Sequence, residues 1–166
     1  MTIRPFQDLL VADISGSVAT SYAAKLFADY GARVVNVEPP QGFRSRNLEP
    51  TLQNGSSALF GYLNAGKESV TAEQPLQHPA VLSANLVIVE PSESSIDLLE
   101  EIPGNVCAIS WFGLDGPYAD FNGTDAVIHA LTGLMKGIGE IQGPPVIPQG
   151  YQAQMIGAVS AFNGAA

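Results

Sequence analysis

The run LLVADIS (9–15), closed by Gly16, is followed by VATSYAAKLFADYG (18–31) and then by ARVVNVEPP (32–40). No other part of the chain constrains the fold as much. The first piece is a short apolar strand. The second places Ala19, Ala23, Leu26, Phe27 and Tyr30 at helical spacing and stops at Gly31, which suits a helix ended by a glycine C-cap. The third is β-branched and ends in paired prolines. A strand, a helix and a strand in about thirty residues predict a βαβ unit with parallel strands and a right-handed crossover.

The rest of the chain continues the alternation. After a polar loop (41–57), ALFGYLNAGKESVTAE (58–73) reads as a helix or turn leading into a short strand. NLVIVEPS (85–92) and GNVCAISWFG (104–113) are two more short apolar runs, of the kind found in strands covered on both faces. SIDLLEE (95–101) has the spacing of an amphipathic helix. DAVIHALTGLMKGIG (125–139) sets Val127, Ile128, Leu131, Leu134 and Met135 on one helical stripe, with Asp125 placed as N-cap. Strands alternating with helices predict an α/β fold, an open, doubly wound, mainly parallel sheet with helices on both faces. With 166 residues, of which 46% are hydrophobic, one domain spanning 1–166 is expected.

Charge and cysteine usage exclude several functions. The net charge is −9, and the cations are Arg4, Lys25, Arg33, Arg44, Arg46, Lys67 and Lys136. Nucleic acids and anionic membranes require a field of many cations, so neither is an expected partner. A single phosphorylated ligand needs only a few. Cys107 has no second cysteine to pair with and sits in an apolar run, which predicts inert packing in a reducing compartment. The N-terminus lacks a continuous apolar leader and no eighteen-residue apolar run occurs, so a cytoplasmic protein is expected.

Short motifs weigh less. GYLNAGK (61–67) fits seven positions of a phosphate-binding loop, but Glu68 stands where a Ser or Thr must meet magnesium. The glycines of GIGE (137–140) follow a helix and suit a terminator. His78 and His129 are isolated, so no metal site is expected, and His129 is expected at a helix surface or core edge. Asp115, Asp120 and Asp125 crowd the turn-rich stretch WFGLDGPYADFNGTDAVIHALTGL (111–134), where aspartate serves turns and caps.

In order, VADIS…YAAKLFADYGARVVNVEPP, LNAGKESV, NLVIVEPS, AISWFGLDGPYADFNGTDAVIHALTGLM and GPPV resemble the N-terminal part of the class III CoA-transferase family, the formyl-CoA and carnitine-CoA transferase type. The resemblance implies a Rossmann-like large domain that binds coenzyme A or an acyl-CoA. It also implies chains more than twice this length, interlinked as dimers, so that the small domain and the return to the large domain are expected to be missing here. The family's chemistry uses one aspartate, which attacks the acyl-CoA thioester to give a mixed anhydride. The released CoA thiolate then forms an aspartyl-CoA thioester, and an acceptor carboxylate runs the steps in reverse.

In the family that aspartate opens the helix after the GPP turn. Laid on this pattern without gaps, GPPVIPQGYQAQMIGAVSAF (143–162) puts Tyr151 at the nucleophile position, and no Asp or Glu follows Glu140. A phenol, neutral at pH 7, cannot form the anhydride. Other departures touch CoA contacts: SGSVATS replaces a larger or basic residue and Ala-Gly-Pro, Asn36 replaces a basic residue, and Ala65 replaces an arginine. Ser15, Ser17, Arg44, Arg46 and Lys67 are the residues left to hold CoA.

The expected function is therefore a class III CoA-transferase-like domain without its nucleophile, an inactive half of a tandem or heteromeric enzyme whose other half supplies the aspartate; the expected partner is a second family-like half or a homodimer. The alternatives are an active transferase or CoA lyase using Asp125, the family's acyl-CoA racemase branch, for which Thr124 and Tyr151 hold the wrong residues, and a protein-interaction module.

Overall fold

The structure, a computed structural model, describes residues 4–91 and 96–166. Ser92 and Ser95, the ends of two of the segments read above, lie outside the described residues. The elements run β1 (Leu10–Asp13), α1 (Val18–Asp29), β2 (Arg33–Glu38), α2 (Ala58–Leu63), β3 (Glu68–Thr71), α3 (Pro79–Leu82), β4 (Leu86–Val89), α4 (Ile96–Leu99), β5 (Asn105–Ala108), α5 (Asp125–Leu131), α6 (Leu134–Gly137) and α7 (Gln152–Ala165). The five strands form one sheet in the order β3-β2-β1-β4-β5, every pairing parallel. This is the doubly wound α/β arrangement, in which strand order reverses between β1 and β4.

Period-two alternation along the strands sends side chains to two cores. Val11, Val34 and Ile88 face α1 and α7 with Phe27 and Ala158, whereas Ala12, Val35, Val87 and Val89 face α3 and α4 with Val81 and Leu99. Phe27 is fully buried and meets Phe6 and Phe162 at ring-centroid distances of 5.3 and 4.8 Å. That aromatic group locks α7 against α1, and so sets where the N-terminus of α7 points.

The central strands β1, β2 and β4 are almost wholly buried, as their continuous apolar runs predict. β5 departs from the expectation of cover on both faces. It is the sheet edge, with Asn105 and Ala108 exposed and Val106 and Cys107 half-buried. The expected single helix over 125–139 is two helices, because Gly133 adopts φ +77° and ends the first ladder. Its apolar stripe does not face a core of the described residues: Leu131 is 71% exposed. His129, expected at a surface or core edge, is instead buried. Burial pushes the half-buried Cys107 thiol up from its ordinary value, in keeping with inert packing.

Candidate functional site

Ligands of open parallel sheets bind beyond the carboxyl ends of the strands, at the point where strand order reverses. Here that point is the crevice between the ends of β1 and β4, and Asp13 organises its first wall. Its Oδ1 accepts hydrogen bonds from the backbone N–H of Ser15 (3.1 Å) and Gly16 (3.0 Å), and its Oδ2 accepts from the Ser21 hydroxyl (3.2 Å). A fully buried carboxylate thus fixes the β1–α1 turn. Ser15 bridges the crevice, its Oγ accepting from the Glu90 N–H at 2.8 Å. Ser17 caps α1, accepting from the Thr20 N–H at 3.2 Å.

Glu38, the last residue of β2, governs the next wall. Both its oxygens take hydrogen bonds from Arg46, from Nε and from Nη2, each at 2.6 Å, and the Phe43 N–H and the Ser69 hydroxyl donate as well. Burial pushes this carboxyl up, but the Arg46, Ser69 and Phe43 hydrogen bonds, aided by the guanidinium charge, outweigh it and hold it at about 2. The folded value lies below the ordinary 4.5, so the stabilisation is present above that pH and is lost as pH falls toward the folded value. In Glu38→Gln, the fall in urea midpoint between about pH 5 and pH 2 is expected to be clearly smaller than in the parent chain. An unchanged pH profile would show that Glu38 does not carry this linkage.

Arg46 is therefore already engaged, and it also lies over the Phe60 ring at 4.2 Å. Lys67 is turned inward, donating to the Ser21 carbonyl (2.8 Å) and to Asn64 Oδ1 (2.9 Å). Burial pushes its ammonium down to about 8 against the opposing pull of Asp13. It follows helix α2 rather than preceding a helix, and Glu68 pairs with Arg33 at 2.8 Å, so GYLNAGK is no phosphate-binding loop. Arg44 is exposed in a 3-10 turn over Arg44–Asn47.

The second half of the site is built by α5 and α7. Thr124, not Asp125, is the N-cap of α5: its Oγ1 accepts from the Val127 N–H at 3.3 Å. That leaves the Asp125 carboxylate to reach across to the start of α7. There Oδ1 accepts from the N–H of Ala153 (2.8 Å) and Gln154 (3.3 Å), and Oδ2 from the Gln154 side-chain amide (2.8 Å). Tyr151, half-buried, is the N-cap residue of α7 and makes no side-chain cap bond. Asp125 supplies the anion that the helix N-terminus favours.

Two adjoining cavities open here. One, of about 260 Å³, is lined by Ala19, Ile109, Ile128, Ala153, Ile156 and Gly157 together with Glu90, Ser110, Trp111 and Gln154. The other, of about 310 Å³, shares Glu90, Ser110 and Trp111 and runs along 119–123. None of Ser15, Ser17, Arg44, Arg46 and Lys67 lines either one. Among the described residues no group of His, Cys, Asp and Glu could hold a metal ion. Sequence reasoning missed Asp13, Glu38, Glu90 and Trp111. The signal for the first was an acid ending an apolar strand just before a glycine, and for Trp111 it was the lone tryptophan of the chain.

The sequence profile of CoA-transferase family III, named as such, matches residues 6–74 and 105–166. The chain belongs to CoA-transferase family III. It is 29% identical over 164 residues to succinate–glutarate CoA-transferase of Agrobacterium fabrum, covering 86% of this chain and 41% of that one. It is 28% identical over 179 residues to acetyl-CoA:oxalate CoA-transferase of Acetobacter aceti, covering 98% and 46%. The crystal structure of a CAIB/BAIF family protein from Brucella suis superposes with a TM-score of 0.83 at 27% identity, over 99% of this chain and 49% of that one. The chain thus spans less than half the length of these family III relatives.

Proposed function

We propose that this chain is a family III domain that receives an acyl-CoA beyond the carboxyl ends of β1, β4 and β5 but does not itself form the covalent acyl intermediate. One observation supports this reading: at the N-terminus of α7 stands Tyr151, the residue to which the family resemblance assigns the nucleophile position, while the carboxylate that reaches this helix start, Asp125, is committed to Ala153 and Gln154. Asp125 accepts two backbone N–H groups and a side-chain amide, and a carboxylate whose lone pairs are so engaged is a weak nucleophile. This weighs against an active transferase or lyase built on Asp125. A second, different family-like half, in a tandem or heteromeric enzyme, would supply the nucleophile.

Exposed apolar side chains support a covering partner. Ile141 is 87% exposed, Leu131 71% and Ile156 64%, all in the part that carries α5 to α7. Among the described residues no helix is long and apolar enough to cross a membrane. We place the protein in the cytoplasm, where the single half-buried thiol stays reduced.

CoA itself would be held by Ser15, Ser17 and the exposed Arg44, with Arg46 and Lys67 available only at the cost of their present partners. Titration calorimetry with CoA is expected to show binding weaker than micromolar, because few free cations face the phosphates. Absence of heat at millimolar CoA would overturn the reading and favour a purely structural domain.

A further inference from the structure

The cavity at the start of α7 has a chemical character of its own. Its walls are mostly aliphatic, from Ala19, Ile109, Ile128, Ala153 and Ile156, and among the described residues no lysine, arginine or histidine lines it. The sequence reinforces this: beyond Lys67 the sole lysine or arginine is Lys136, in α6 and away from the cavity. Among the described residues the charged group that lines it is Glu90. The polar groups are few: the Ser110 hydroxyl, the Trp111 indole, and the Gln154 amide already given to Asp125. A pocket of about 260 Å³ is below the roughly 300–1,000 Å³ that hold drug-sized ligands, so it suits one short chain rather than a nucleotide.

The family III relatives described above are named for succinate, glutarate, acetyl-CoA and oxalate, and the dicarboxylic acids among these carry a second carboxylate that needs a cation or several N–H donors when it leaves water. Among the described residues no cation lines this cavity, and the Ala153 and Gln154 N–H groups on its wall already donate to Asp125, which leaves the Trp111 indole. We propose that the cavity takes the acyl group of a monocarboxylic, aliphatic acyl-CoA and rejects dicarboxylic acyl groups. The proposal rests on the reading that an acyl-CoA binds beyond these strand ends, and it adds which acyl class is accepted. Selection follows from transfer free energy: each methylene gains on entering an aliphatic wall, whereas a distal carboxylate loses its hydration and faces Glu90.

Trp111 is the only tryptophan and lines the pocket, so its emission reports occupancy directly. The purified chain would be titrated with hexanoyl-CoA, succinyl-CoA, CoA, hexanamide and succinate. Hexanoyl-CoA and hexanamide are expected to shift Trp111 emission and succinate to leave it unchanged, with hexanoyl-CoA binding at least about tenfold more tightly than succinyl-CoA. A Cβ added at Gly157 meets nothing within 4 Å, and leucine is the better helix former. Gly157→Leu should therefore fold, as circular dichroism would verify, and abolish the hexanamide response by filling the pocket. Succinyl-CoA binding as tightly as hexanoyl-CoA, a silent Trp111 with hexanamide, or a full response in Gly157→Leu would each overturn the proposal. If CoA gives no heat while hexanamide still moves the emission, the CoA reading falls and the apolar pocket stands.

Discussion

Gly16→Ala is expected to lower the stability of the chain by about 2–5 kcal/mol, read as a large drop in urea midpoint with little change in slope. Two costs add. Gly16 sits at φ +61°, a left-handed conformation that costs a residue bearing a Cβ roughly 1–2 kcal/mol. The new methyl would lie 2.0 Å from Phe43 Cγ, and Phe43 is among the largest fully buried side chains. Forcing it aside adds roughly 1–3 kcal/mol of overpacking. The damage should not stay local. The Gly16 N–H is held by Asp13, and the Phe43 N–H by Glu38, so both walls of the crevice loosen together. A midpoint within error of the parent would show that the β1–α1 turn does not depend on this close approach.

How far the sequence could be read depended on whether a residue's partner was near in the chain. β1, α1 and β2 were legible because an apolar run, a helical stripe and Gly31 punctuate one another within thirty residues, and because β1 and β2 are interior strands whose runs stay continuous. β5 looked the same on paper, yet it lies at the edge. Apolar content alone does not tell an interior strand from one whose second neighbour is missing. The break between α5 and α6 was hidden for a similar reason. The stripe over 125–139 is real, but it joins neither buried core and Leu131 is left 71% exposed, and Gly133 then decides the geometry.

At the site, the short-range roles could be anticipated and the long-range ones could not. Asp125 was read as the cap of its own helix, but Thr124 holds that position and Asp125 caps a helix that begins 27 residues later, at Gln152. Arg46 and Lys67 were visible as cations, but their commitment to Glu38 and to the Ser21 carbonyl depends on tertiary contacts. Trp111 and Glu90 drew no notice because a cavity wall has no periodicity to detect. The assignment of Tyr151 to the family's nucleophile position rests on the motif alone; the structure adds that α7 begins at Gln152, directly after it.

The second large effect concerns that position. A carboxylate nucleophile in the family scheme is converted quantitatively to an acyl anhydride or a CoA thioester, and hydroxylamine captures either as a stable hydroxamate. In this chain Tyr151 brings a phenol rather than a carboxylate, and no Asp or Glu follows Glu140 in sequence. The measurement is intact-mass analysis, with peptide mapping, of the purified chain after incubation with an acyl-CoA and hydroxylamine. The account predicts a mass unchanged within error and no hydroxamate on any aspartate or glutamate. A hydroxamate on Asp125, formed only when acyl-CoA is present, would contradict it and make this chain a complete nucleophilic half.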